Sequence, residues 1–84
     1  MNELYNLINS LPNNVKVEGY GSGTYNEYYL KREFGEYMVW VGFDGVVYEL
    51  GTYRKWAIDP NEEMSNMREV KTLKAVGNYI KKYL

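Results

Sequence analysis

Neither cysteine nor histidine occurs among the 84 residues. The first absence removes disulfides, thiolate metal sites and cysteine nucleophiles, and a chain without a disulfide framework suits a reducing cytosol. The second removes the side chain most often used for proton transfer near neutral pH and the commonest zinc ligand. Chemistry would fall to carboxylates, tyrosine, lysine or serine, and the sequence alone places no pair of them for such work. The expectation is a protein that is not an enzyme, with no cofactor and no metal site. No apolar run approaches the roughly 18 residues that span a bilayer, and residues 1–11 lack the basic start, apolar stretch and small-residue cleavage site of a secretory leader. No membrane partner is expected, and the expected location is the cytoplasm.

What is present fits one compact α+β domain over residues 1–84. With 45% hydrophobic residues and two prolines, a chain of this length hides ~60–70% of its unfolded surface in one small core. The net charge is −1, but residues 1–50 carry three cations against seven acids, and residues 51–84 seven cations against four acids. From Val70 onward there are four lysines and no acid. The molecule should therefore have an acidic part and a basic part.

Asn2 can cap a short first helix in which Leu4, Leu7, Ile8 and Leu11 recur at helical spacing, and Pro12 with its following asparagines ends it. Val15–Glu18 alternates apolar and charged as a half-buried strand does. In residues 25–34, Thr24 and Glu27 match a capping box and permit a helix. The tyrosine clustering, the alternation of Tyr28, Leu30 and Phe34, and Gly35 favour a strand. Residues 37–43, YMVWVGF, are apolar on both faces and read as the central strand. Asp44-Gly45 predicts a hairpin turn and Val46–Leu50 its return. Gly51-Thr52 suggests a second turn into a strand over Tyr53–Ile58, closed by Asp59-Pro60. Residues 61–67, NEEMSNM, read as a loop or frayed helical start. At about 100° per residue, Val70, Leu73, Val76, Ile80 and Leu84 share one side of a last helix, with Lys71, Lys74, Asn78, Lys81 and Lys82 on the other. The expected order is helix, four or five antiparallel strands, helix. Both helices should lie on one sheet face and leave the other partly open.

Ten tyrosines are the most unusual compositional feature. Tyrosine combines contact area, few rotors and a polar tip, so it is favoured at recognition surfaces. Tyr37, Tyr48 and Tyr79 are expected at core edges, and Tyr20, Tyr25, Tyr28, Tyr29 and Tyr53 outside. The candidate protein-binding residues are Tyr25, Tyr28, Tyr29, Trp40, Tyr53 and Trp56, with Glu27 and Glu33 as the acidic complement. Two copies meeting through an open sheet face is a related expectation.

Gly19, Gly21 and Gly23 miss the dinucleotide spacing, and no P-loop lysine follows. VEGYGSGTYNEYYL resembles the glycine-rich loop of protein kinases over that loop alone. Thr24 replaces its third glycine and the downstream kinase signatures are missing, so a flexible hairpin tip is expected. The element order and KTLKAVGNYIKK resemble the double-stranded RNA-binding domain. The lysine face of Lys71, Lys74, Lys81 and Lys82, helped by Arg54, Lys55 and Arg68, could track nucleic-acid phosphates, and the resemblance implies the same contact. Taken whole, NELYNLINSL, the tyrosine-rich hairpins GTYNEYYLKREFGEY and GFDGVVYELGTYRKW, and KTLKAVGNYIKKYL resemble small accessory proteins of bacteriophages and mobile elements, including anti-CRISPR and other anti-defence inhibitors. This resemblance implies a non-catalytic inhibitor that occupies a surface of a host protein, a defence enzyme, in the host cytosol.

Overall fold

A computed structural model of the chain describes residues 3–22, 25–35, 37–54 and 64–84, with Ser22 described by its backbone. The fold is α+β: α1 (Glu3–Asn9), β1 (Val15–Ser22), β2 (Tyr25–Arg32), β3 (Tyr37–Phe43), β4 (Tyr48–Arg54), β5 (Ser65–Val70) and α2 (Leu73–Tyr83). The strands form one antiparallel sheet in chain order, β1-β2-β3-β4-β5, with β3 at its centre.

Alternation along the strands creates two unlike faces. In the ladders Val17 meets Leu30, Leu30 meets Val39, and Val39 meets Thr52. These positions and their alternates Val41 and Leu50 turn towards the helices. Leu4 and Ile8 of α1 and Val76, Tyr79 and Ile80 of α2 close over Leu30, Val39, Val41, Tyr48 and Leu50 in a single buried cluster. Each such aliphatic side chain removed from water contributes about 1.5–3 kcal/mol. Both helices thus occupy one side, and the side carrying Tyr29 and Trp40 has neither helix on it.

Local chemistry explains the ends of the elements. The Asp44 carboxylate accepts the N–H groups of Val46 and Val47 at 2.8 and 2.9 Å. Those bonds, Val47 first, hold its pKa below the usual carboxylate value. Gly45, at φ 100, supplies the left-handed residue of the turn. The hairpin is clamped beside this turn by Phe43 and Tyr48, which pair in register and stack at 4.4 Å. Thr72 caps α2 by accepting the Ala75 N–H at 3.2 Å.

Several boundaries differ from the sequence expectation. β1 runs on to Ser22, so Gly19 and Gly21 lie in the ladder opposite Tyr28 and Asn26 rather than at a flexible tip. Gly51-Thr52 makes no turn. β4 passes straight through it and carries a register shift against β5 between Leu50 and Thr52. β4 begins at Tyr48 instead of Val46. Residues 65–67, read as loop or helix start, belong to β5, and Val70 ends that strand instead of opening α2. The expected cap at Asn2, the capping box of Thr24, the strand portion 55–58 and Asp59-Pro60 lie outside the described residues.

The fifth strand is pinned to the sheet by polar contacts. Thr52, buried at 3% exposure, donates through Oγ1 to the Ser65 carbonyl and accepts from Asn66 Nδ2, both at 3.1 Å. Asn66 sits at φ 54, and its carbonyl accepts the Tyr79 hydroxyl at 2.8 Å. Burial is the main cause that pushes the Tyr79 phenol up to about 12.

Candidate functional site

The face of the sheet turned away from the helices carries three rows of side chains that cross the sheet, read from the ladder register, and Tyr25 stands beyond the first of them, opposite Ser22. Tyr20, Glu27, Gly42, Glu49 and Glu69 form one row, and Glu18, Tyr29, Trp40 and Gly51 the next. Lys16, Lys31, Met38 and Tyr53 form the third. The face is therefore acidic at one end, aromatic through the middle, and cationic at the other end.

Glu27 organises its centre. One carboxylate oxygen, Oε2, accepts both the Tyr25 hydroxyl and the Trp40 indole N–H, each at 3.1 Å. The indole lies across Gly42: a Cβ there would meet Trp40 Cζ2 at 2.7 Å, so only glycine admits the ring. Trp40 is accordingly 6% exposed while Tyr25 and Tyr20 stand 40% and 56% exposed. Tyr20 meets Tyr29 edge-on at 5.9 Å, a favourable ring geometry, and its hydroxyl donates to Glu18 at 3.4 Å.

The same arrangement shifts the phenols. Tyr25 is pushed up to about 12, first by desolvation and then by its hydrogen bond to Glu27, with Glu27 and Glu49 adding repulsion of the phenolate. Tyr29 is also raised, by burial first and by Glu27 next. Both hydroxyls therefore remain neutral donors across the physiological range.

Of the residues singled out by sequence, Tyr25, Glu27, Tyr29, Trp40 and Tyr53 come together on this face. Tyr28 points to the helix side, where it packs against the core cluster. Glu33 lies in the turn between β2 and β3, exposed, beside Lys16 and Lys31. Trp56 and Lys55 lie outside the described residues. Among the tyrosines expected at core edges, Tyr48 and Tyr79 are buried, whereas Tyr37 is 46% exposed. Glu18, Tyr20, Glu49 and Glu69 complete the face without having been selected as site residues. The first three share the alternation of their strands and were findable from it, whereas Glu69 sits on a strand that the sequence did not announce.

The candidate nucleic-acid residues that are described, all but Lys55, occupy the opposite side of the sheet. Lys71, Lys74, Lys81 and Lys82 are exposed on and just before α2. Arg32, Arg54 and Arg68 fall on the helix side by strand alternation. Arg68 and Lys82 line one shallow cavity of ≈ 230 Å³ with Tyr79 and Tyr83. The sequence's acidic and basic halves thus become, in three dimensions, mainly two faces. Among the described residues no histidine, cysteine or carboxylate cluster suited to a metal ion is found, and no helix is long and apolar enough to cross a membrane.

Compared with protein-family models, characterised proteins and solved structures, the chain matches none.

Proposed function

We propose that the chain is a small non-catalytic protein-binding module that grips its partner with the outer sheet face around Tyr20, Tyr25, Glu27, Tyr29 and Trp40. The observation that carries this reading is the bridging of Tyr25 and Trp40 by one Glu27 oxygen, on a sheet face not covered by either helix. It holds rings and a carboxylate in one orientation before any partner arrives, which lowers the ordering cost of binding. Aromatic groups with a polar tip are the usual anchors of such surfaces. Among the described residues of this face, Glu18, Glu27, Glu49 and Glu69 outnumber Lys16 and Lys31, so a partner surface that includes basic residues fits it. On the resemblance to phage accessory proteins, the partner is a host protein whose surface is blocked, of the defence-enzyme kind.

The test is capture from nuclease-treated bacterial lysate. Tyr25→Ala and Tyr29→Ala are expected to weaken capture of the same partner by ~2 kcal/mol or more each, as interface anchors do, while thermal melting shows the fold intact. Undiminished capture by both variants would remove the reading.

A second reading is favoured by the gathering of Arg32, Arg54, Arg68 and the α2 lysines on the helix side, away from the acidic face. Nucleic-acid contact there predicts binding that weakens with salt, with a shallower slope in Lys74→Ala and Lys81→Ala. A flat salt response would eliminate it.

A further inference from the structure

Two ladder positions on the outer face pair like charges. Lys16 stands directly opposite Lys31 between β1 and β2, and Glu49 directly opposite Glu69 between β4 and β5. Like charges facing each other across a strand pair destabilise it, and this sheet contains two such pairs of opposite sign.

Their placement is diagonal. Lys31 is opposite Met38, two residues before Trp40, and Glu49 is opposite Gly42, two residues after it. The lysines belong to β1 and β2 and the glutamates to β4 and β5, so Trp40 on β3 lies midway between the corners. A strand spacing of ~4.8 Å and a rise of ~3.4 Å per residue put the corner centres on the order of 20 Å apart. Lys16, Glu49 and Glu69 are exposed and Lys31 is half-buried. Glu18 and Glu33 border the lysine corner and offset part of its charge within one copy.

The middle of the face is largely closed, with Trp40 6% exposed and Met64 against Gly51, but cationic and anionic corners at opposite ends of one diagonal make the surface complementary to itself. A half-turn about an axis lying in the interface, crossing the diagonal at Trp40, sets each corner against the opposite corner of a second copy. We propose that the outer face pairs with the same face of a second copy in an isologous dimer. Lys16 and Lys31 of one protomer meet Glu49 and Glu69 of its partner, and the contact is repeated by symmetry. This rests on the reading of the outer face as the binding surface and gives that surface a definite occupant. Each like-charge pair, repulsive in the single copy, then gains two opposite charges. A foreign protein partner would compete with the second copy for the same rings.

The experiment is light scattering after gel filtration over a range of concentrations and salt. Four proteins are compared: the natural chain, Lys16→Glu/Lys31→Glu, Glu49→Lys/Glu69→Lys, and the chain with all four reversals. The natural chain is expected to be a dimer that loosens with salt. Each double reversal is expected to weaken dimerisation about tenfold or more, since close interfacial charge pairs couple strongly. An equimolar mixture of the two double variants should recover a mixed dimer, and the fourfold reversal, with its corners exchanged, should dimerise again. These recoveries also show that the variants fold. A natural chain that stays monomeric, double variants that dimerise unchanged, or a mixture that recovers nothing would each overturn the proposal. So would masses growing beyond a dimer, which report head-to-tail stacking of the basic helix side on the acidic face. A monomer that still captures a foreign protein through Tyr25 and Tyr29 overturns the dimer and leaves the functional reading standing. A dimer whose lysate capture is untouched by those alanines does the reverse.

Discussion

Tyr29 and Leu30 are neighbours in β2, yet Leu30 is fully buried in a cluster with aliphatic groups from four other elements, while Tyr29 shares the opposite face with Tyr20, Glu27 and Trp40. The difference between the two sides of the sheet comes from one step of strand alternation. On the helix side, an apolar cluster is closed at its centre and the cations stand round its margin. On the outer side, rings and carboxylates are tied to one another, with Glu27 bonded to two partners and Glu18 to a third. One side holds the molecule together, and the other is the proposed contact surface.

The contrast is tested hardest by removing the two neighbours separately. Leu30→Ala should cost about 2–5 kcal/mol in urea unfolding, because it opens a cavity in the closed layer. Tyr29→Ala should cost about 1 kcal/mol, near the ordinary value for a point substitution, and show its main effect in partner binding. Equal losses would erase the distinction between the faces. Next in size is Thr52→Val, which strips the Ser65 carbonyl and Asn66 amide of a buried partner and should cost about 1–3 kcal/mol. Amide exchange in β5 should rise more than in β2.

A gain is expected at Gly77. A Cβ there would meet nothing within 4 Å, and the position borders a groove of ≈ 440 Å³ with Leu7, Leu11 and Ile80. Gly77→Ala should therefore stabilise the chain by up to ~1 kcal/mol through helix propensity. A loss would mean that the helix layer is tighter at this point than the groove indicates. The smallest effect is one of pH. Because Tyr25 is held up to about 12 in the fold and titrates near ~10 when unfolded, its contribution to stability is complete below pH ~10. It declines as pH rises from ~10 to ~12, since the unfolded chain releases that proton first. Glu27→Gln should bring the Tyr25 titration, followed by phenolate absorbance, part of the way back towards 10, leaving the larger effect of desolvation.

The order of elements was legible wherever apolar periodicity was strong. YMVWVGF is the central strand, and Leu73, Val76 and Ile80 line the buried side of α2. Its strand neighbour β2 was the favoured of two readings, and alternation at Leu30 decides for it. β5 was not legible because SNMREV has no apolar alternation. It is an edge strand, exposed along nearly all its length, held by backbone pairing and by the Thr52, Asn66 and Tyr79 contacts. Gly51 and Thr52 look like a turn in sequence. In the fold Met64 sits against Gly51 and Thr52 is buried for its hydroxyl, demands set by a distant segment. The tyrosine clustering pointed to the outer face, but Tyr28 departs from it because alternation sends every second ring to the core. The charge corners needed the register, which composition does not carry.

The central claim, that contact is made by the outer face, can be tested on four tyrosines of comparable exposure. Tyr20 and Tyr25 stand on the outer face at 56% and 40%, and Tyr5 and Tyr37 on the helix side at 49% and 46%. Hydroxyl-radical footprinting, read by mass spectrometry, would follow all four in the dilute chain and in the dimer or partner complex. Tyr20 and Tyr25 should become protected while Tyr5 and Tyr37 keep their labelling. Protection of Tyr5 and Tyr37, with Tyr20 and Tyr25 still labelled, would contradict it.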